Sequence, residues 1–163
     1  MLALRYVYVL ALVIWLGGMV ILGALVAPTT FQVLEQAVPS TGRALAGEVF
    51  GTTIARFHYV AYAAGAVLLL SLAAMAVLGP RPPSFAVRSV VIVVMLAIAA
   101  YSGFIVLAGI DTIQQEVGAL PSRLPAADPR RVRFDALHQL SERLMMINVV
   151  GTLALLYWEA RER

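Results

Sequence analysis

Apolar residues gather in four long stretches separated by shorter polar segments, and this alternation organises the whole chain. The stretches cover residues 6–27, 57–78, 85–110 and 138–158. Each is close to the ~20 residues that an α-helix needs to cross the hydrocarbon core of a bilayer. The pattern predicts an all-α protein, an integral membrane four-helix bundle that forms a single domain over residues 1–163.

The polar segments between the stretches differ in length and in turn chemistry. The second and third stretches are joined by GPRPPS (79–84), a tight proline-rich turn that predicts an antiparallel hairpin. Past the first stretch, Phe31 and Leu34 keep helical spacing, and Ser40 or Thr41 is expected to cap the helix that enters the second stretch. The loop between the first two spans is therefore predicted to be largely helical.

The two later helices carry clearer boundary signals. Asp128 followed by Pro129 suits the start of the last helix, because Asp caps well and Pro is tolerated in the first turn. The third helix is expected to continue through DTIQQEV (111–117) and to stop at Gly118. All four helices should therefore extend beyond the membrane on one side, and ten extra residues would add roughly 15 Å.

A faint internal repeat links the first and third stretches. The octet LVAPTTFQ (25–32) matches LAGIDTIQ (107–114) in Leu, Thr and Gln at the same positions. Each octet lies near the end of an odd-numbered span. The repeat suggests two helical hairpins related by a pseudo-two-fold axis along the membrane normal.

An even number of spans places both termini on the same side of the membrane. The short segments on that side carry several arginines: Arg5, Arg81, Arg88, Arg161 and Arg163. The acids there are Glu159 and Glu162. Because cytoplasmic segments carry an excess of basic residues, the pattern predicts a bacterial inner-membrane protein with both termini in the cytoplasm.

Composition excludes several classes of protein. The chain is 61% hydrophobic and 13% charged, whereas soluble domains have roughly 25% charged residues. The net charge of +3 does not indicate nucleic-acid binding, because the arginines are scattered and form no basic stripe. No cysteine is present, which excludes disulfides, zinc thiolates and cysteine nucleophiles. No GxxxxGK, GxGxxG, HExxH or GxSxG motif supports nucleotide, zinc-protease or esterase chemistry.

Polar residues concentrate at one level of the predicted bundle. His58 opens the second span and His138 opens the fourth, so both histidines should lie at a similar depth on the side opposite the termini. The candidate ligand-binding residues of this layer are His58, His138, Ser141, Glu142, Asn148, Asp111, Arg56 and Tyr62. On the fourth helix His138, Ser141, Met145, Asn148 and Thr152 share a wedge of about 80°, which is predicted to face the bundle interior because lipid offers polar groups no partner.

Three roles for this layer remain open. It can be a hydrogen-bonded plug that fixes helix register. His58 and His138 can hold a metal ion or b-type haem between them. A carboxylate–histidine proton relay is the third role. In the first span, Gly17, Gly18 and Gly23 are expected to let another helix or subunit come close.

The quoted motifs also resemble a known family. VIWLGGMVILGALVAPTTF, ARFHYV and FDALHQLSERLMMINVVGTLALL are similar to the transmembrane protein 205-like family, whose bacterial members carry a domain of unknown function numbered 4149. The resemblance covers most of the chain and rests on Trp15, Gly17, His58, His138, Ser141 and Asn148. It implies a four-helix membrane protein of poorly understood biochemistry.

A more distant similarity is to four-helix membrane protoporphyrinogen oxidases and copper-resistance D proteins. The oxidases place a His and a Trp in their first span, whereas this chain has Trp15 and no His there. The expected function is accordingly a non-enzymatic accessory subunit or small-ligand binder, embedded in the lipid bilayer, alone, as a homo-oligomer or within a larger complex. The alternatives are a haem-binding redox protein or protoporphyrinogen-oxidase-like enzyme, and a metal or solute transporter.

Overall fold

Four long helices run up and down in the computed structural model, which describes residues 2–161 apart from 83 and 119. The helical elements are α1 (Leu2–Ile21), the π-helical segment π1 (Leu22–Val26), α2 (Ala27–Ala37), α3 (Gly42–Leu78), α4 (Phe85–Tyr101), the π-helical segment π2 (Ser102–Val106), α5 (Leu107–Val117), a 3₁₀ turn (Pro121–Arg123) and α6 (Pro129–Arg161). The first long helix runs unbroken from α1 through π1 to α2, and the third from α4 through π2 to α5. The predicted all-α class is confirmed.

The helices form a closed ring. Consecutive long helices pack side by side, and α6 also packs against α1. On α1, the buried Tyr8, Leu12, Trp15 and Met19 repeat every three or four residues, so one face of the helix supplies the core. The apolar residues of α1 therefore divide into a set that faces the core and a set that faces outward.

The outward faces are apolar as well. Leu70, Val77 and Val90 are 70%, 82% and 62% exposed, and many other large aliphatic side chains point outward. Such a continuous apolar surface is rare on soluble monomers. All four long helices have the length and hydropathy needed to cross a bilayer. The protein is an integral membrane four-helix bundle.

Two of the predicted helix ends have the expected geometry. The backbone N–H of Arg130 donates to Asp128 Oδ1 at 2.9 Å, which confirms Asp128 as the cap of α6. Gly118 ends α5 in the left-handed conformation with φ 60°. The predicted side-chain cap of α3 is wrong: Thr41 occupies the N-cap position and makes no side-chain cap bond. The chain turns tightly there instead, and the backbone N–H of Gly42 donates to the Val38 carbonyl at 2.6 Å.

The two π segments were not predicted. Each widens the helix at the start of one of the repeated octets, π1 overlapping residues 25–26 and π2 ending just before Leu107. Pro28, one turn beyond the centre of π1, has no N–H to continue the α-helical pattern, which gives a local reason for the first bulge. Such bulges often accompany functional sites.

Candidate functional site

A cavity of about 50 Å³ lies inside the bundle between all four long helices. It is lined by Trp15, Met19, Leu22, Ile54, Phe57, His58, Ala61, Ala99, Ser102, Ser141, Leu144, Met145 and Asn148. A water molecule takes up about 30 Å³ in the liquid. The cavity can therefore hold a water molecule or a polar group of one or two heavy atoms. None of its lining residues is an Asp, Glu or Arg. The site is small, mostly apolar and free of formal charge when His58 is neutral.

Two neutral polar groups on its wall have hydrogen-bonding capacity left over. Asn148 is 4% exposed, and its Oδ1 is buried with no hydrogen-bond partner among the residues that the structure describes. His58 Nδ1 lies 2.9 Å from the carbonyl oxygen of Ile54. A carbonyl can only accept, so Nδ1 carries the proton, and Nε2 of the neutral ring is an acceptor. The wall therefore presents two acceptors from two different helices.

The second π segment shapes this side of the cavity. Ser102, its first residue, lines the cavity and is 6% exposed. A Cβ on Gly103 would overlap the Tyr62 hydroxyl and lie 2.9 Å from Cδ2 of His58, so glycine lets the two rings pack against the helix. The Tyr62 hydroxyl donates to the Ala99 carbonyl at 3.3 Å. Tyr62 thus positions this wall without lining the cavity itself.

His138 is not part of this wall, and the prediction that it faces the interior is wrong. Its side chain is 57% exposed, its Nε2 lies 3.3 Å from Glu142 Oε1, and its ring stacks on Phe134 with centroids 6.1 Å apart. Asn148, Thr152, Leu155 and Glu159 mark the buried face of α6. At 100° per residue His138 lies about 70° from the centre of that face. The predicted inward-facing wedge is correct for Ser141, Met145, Asn148 and Thr152. His138, at the edge of the wedge, faces outward.

The remaining predicted residues are distributed over other surfaces. Glu142, Arg56 and Asp111 are exposed. Asp111 lines a separate groove of about 510 Å³ between α3 and α5, together with Glu48 and Gln114. The predicted polar layer is therefore split into an interior cavity and exposed outer groups.

The three glycines of the first long helix have different surroundings. A Cβ on Gly18 would overlap the Phe57 ring, so α1 and α3 approach closely there. A Cβ on Gly23 would make an ordinary contact of 3.6 Å with Met145, and one on Gly17 would meet no atom of the described residues within 4 Å. Of the adjacent pair Gly17 and Gly18, only Gly18 therefore packs closely against another helix among the described residues.

A metal or haem held between His58 and His138 does not fit this arrangement. The first ring borders the cavity and the second is on the outer surface. No group of three His, Asp or Glu side chains with metal-ligand geometry occurs in the described part of the chain. A cavity of about 50 Å³ is also far smaller than the roughly 300–1,000 Å³ of ordinary cofactor pockets.

A second polar cluster lies near the termini, and sequence reasoning missed it. Glu159, 5% exposed, accepts from Arg5 Nε through Oε1 and from Arg88 Nη1 through Oε2 at 3.2 Å. Arg5 Nη2 also donates to the Glu159 carbonyl at 3.1 Å. Arg88 is 1% exposed, and its guanidinium lies 5.8 Å from the centroid of the Tyr8 ring. This terminal charge cluster joins α1, α4 and α6.

A signal for the cluster was present in the sequence. Arg88 lies one turn inside the third predicted span, and Glu159 follows the fourth directly. Ionisable residues within a span usually face protein and pair with each other. Both arginines also fit the charge pattern of a cytoplasmic end, so the sequence does not separate a topology signal from an ion pair.

Comparisons with known proteins identify a family and nothing finer. The family described as a domain of unknown function, DUF4149, matches residues 10–118. No curated protein and no solved structure matches the chain. The matched segment covers three of the four long helices and includes the cavity residues Trp15, His58 and Ser102. With well over half of its length matched, and with a fold of four apolar helices, this chain belongs to the DUF4149 family.

Proposed function

We propose that this protein is a non-enzymatic membrane protein that binds a small neutral lipophilic molecule, with the polar head of the ligand in the cavity between the helices. The observation that carries the proposal is Asn148, whose Oδ1 is buried beside the cavity with no partner among the described residues. Leaving such a group unsatisfied costs about 1–3 kcal/mol, and a ligand that donates a hydrogen bond would offset this cost.

The chemistry of the wall defines the class of ligand. His58 Nε2 and Asn148 Oδ1 are acceptors, so the head group must donate, as a hydroxyl or an amide does. No charged side chain lines the cavity, so a charged head group would lack a counter-ion and would be costly to bury. The other lining side chains are mostly apolar, which suits the hydrocarbon that adjoins the head group.

The more distant resemblance to protoporphyrinogen oxidases concerns two residues of the cavity wall. The protoporphyrinogen oxidases combine a Trp and a His on their first span. Here Trp15 of α1 shares the cavity with His58 of α3, which makes a Trp–His pair from two helices.

The orientation belongs to the same proposal. We place both termini in the cytoplasm of a bacterium and the cavity in the opposite half of the membrane, because arginines dominate the end that carries the termini. The chain lacks cysteine, so single-cysteine variants give clean labelling. Ala126→Cys should react with an impermeant maleimide added outside intact spheroplasts, and Ala160→Cys only after lysis. The reverse labelling would overturn the orientation.

Native mass spectrometry tests the ligand. The wild type, purified gently from its own membranes, should carry a neutral organic adduct that organic solvent extracts. Asn148→Ala removes the acceptor and does not fill the cavity, so the adduct should be lost through the missing hydrogen bond. Gln139→Ala changes an exposed residue of the same helix and should keep it. A wild type without any adduct, or equal adducts in both variants, would reject the proposal.

A further inference from the structure

On one side of the bundle, aromatic rings separate the cavity of the proposed function from the outer surface. His58 lines the cavity, and its ring centroid lies 6.0 Å from that of Tyr62. The Tyr62 ring stacks on Phe104 with centroids 5.6 Å apart and an interplanar angle of 13°. Phe104 is 65% exposed on the outer surface, whereas Tyr62 is half-buried. Along this path one ring, that of Tyr62, connects the cavity wall to the outer surface.

This path of rings reaches the outer surface within the membrane. At 1.5 Å per residue, Phe104 lies about 28 Å along the helix axis from Phe85, the first residue of α4. The hydrocarbon core of a bilayer is about 30 Å thick, so Phe104 lies close to its boundary on the side opposite the termini. Tyr59, 70% exposed, extends the aromatic patch, with its ring centroid 6.3 Å from that of Tyr62. Phe104 and Tyr59 therefore face lipid at the level where aromatic residues commonly contact the bilayer.

The contact between α3 and π2 at this level is made by side chains that can move. Gly103 has no side chain, and the Tyr62 hydroxyl and the His58 ring occupy the space that a Cβ would need. The Tyr62 hydroxyl donates to the Ala99 carbonyl at 3.3 Å, which is long for an O–H···O hydrogen bond. That carbonyl also accepts from the backbone N–H of Ser102. Displacement of the Tyr62 ring would therefore leave the Ala99 carbonyl with a hydrogen-bond partner.

About one turn deeper in the membrane, the second and third long helices pack more tightly. Gly65 is buried, and a Cβ there would overlap the Leu96 side chain. Ala61 and Ala64, on the same part of α3, are 3% and 6% exposed. Separation of the helices at that depth would expose close-packed apolar atoms, whereas at the level above it only the Tyr62 side chain has to move. We therefore expect an opening at Tyr62 rather than below it.

We propose that the ligand enters the cavity sideways from the bilayer, between α3 and π2, and that the Tyr62 side chain is the gate that turns aside to admit it. A neutral lipophilic molecule is concentrated in the bilayer, because the transfer of apolar surface from water into hydrocarbon is favourable. The exposed rings of Phe104 and Tyr59 give such a molecule its first contact with the protein. The inference rests on the proposed function and makes the ligand a membrane-dissolved compound rather than one taken from water.

Fluorescence quenching of Trp15, which lines the cavity and is 1% exposed, tests the entrance. Trp158→Phe removes the other tryptophan and gives a parent protein that is reconstituted in liposomes. The probe is 4-iodophenol, a neutral, lipophilic hydrogen-bond donor whose iodine quenches indole fluorescence on contact. In stopped-flow mixing, Tyr62→Phe should raise the quenching rate of the parent by about threefold, the effect of one weak hydrogen bond. Tyr62→Ala, which also removes the ring, should raise it by about tenfold.

Tyr101→Phe and Tyr101→Ala are the matched controls, because Tyr101 is exposed and makes no hydrogen bond or ring contact among the described residues. Both should be quenched at the rate of the parent, and iodide ion, which stays in water, should not quench Trp15. If neither Tyr62 variant exceeds its Tyr101 control, or if iodide quenches Trp15, the entrance is wrong and the proposed function stands. Tyr62→Phe decides alone if Tyr62→Ala does not fold. No quenching by 4-iodophenol in the parent or in the Tyr62 variants would overturn the entrance and the proposed function together.

Discussion

The two ends of the bundle solve the burial of polar groups in opposite ways. Around the cavity, His58, Asn148 and two serines surround a space that protein atoms leave unfilled, and no Asp, Glu or Arg lines it. At the terminal charge cluster, Glu159 forms direct ion pairs with Arg5 and Arg88. Neutral groups can be left partly unsatisfied at a cost of about 1–3 kcal/mol, whereas lone buried charges cost several times more. Unsatisfied acceptors can therefore persist around the cavity, whereas the buried charges at the other end pair with each other.

Removal of Glu159 should give the largest effect. Glu159→Ala removes the carboxylate that pairs with both Arg5 and the buried Arg88, and the free energy of unfolding should fall by about 3–5 kcal/mol. Glu142→Ala removes a carboxylate that pairs with His138 on the exposed surface, and it should cost about 0–1 kcal/mol. Thermal unfolding of both variants in one detergent makes the comparison. Equal losses would mean that the cluster contributes no more than a surface pair.

Glycine packing next to the cavity gives the second test. Gly18→Leu should lower the free energy of unfolding by about 1–3 kcal/mol, because the new side chain meets the Phe57 ring that lines the cavity. Gly17→Leu, one residue away in open space, should change it by no more than about 0.5 kcal/mol. The melting temperatures of the two variants measure the difference. A larger loss in Gly17→Leu would place a second subunit against that face.

The two histidines should respond unequally to truncation. His58→Ala removes part of the cavity wall and the ring contact with Tyr62, and should cost about 1–2 kcal/mol. His138→Ala removes an exposed ring and should cost about 0–0.5 kcal/mol. Chemical denaturation of the two variants checks the order. A greater loss of unfolding free energy in His138→Ala than in His58→Ala would indicate that His138 lies in the interior.

Asp128, the partly exposed N-cap of α6, should show the smallest and most pH-dependent effect. Hydrogen bonds from the Arg130 side chain, and then from its backbone N–H, hold the pKa of Asp128 below its usual range. A carboxylate with a lowered folded pKa stabilises the fold above its unfolded pKa, and that stability is lost as pH falls through the folded pKa. Asp128→Asn should therefore lose less stability than the wild type between pH 5 and the acid limit. Parallel acid curves for both would contradict this assignment.

Local signals in the sequence accounted for the ends and faces of particular helices. Asp128 and Gly118 predicted their caps because capping depends on a few adjacent residues. Asn148 and Thr152 predicted the buried face of α6, since polar groups deep in a membrane helix must face protein. Thr41 failed as a side-chain cap because the close approach of Gly42 to the backbone of Leu34 decides that turn.

Hydropathy and helix length act along the chain, so the sequence alone predicts an all-α membrane protein with four spanning helices. The tertiary structure was needed to show that His58 borders the cavity while His138 faces outward, since a rotation of about 70° around a helix axis separates the two outcomes. It also decided that Arg5 and Glu159, 154 residues apart, share one ion pair. Periodicity fixes which residues share a face of a helix, but the neighbours of that face depend on how the helices pack around each other.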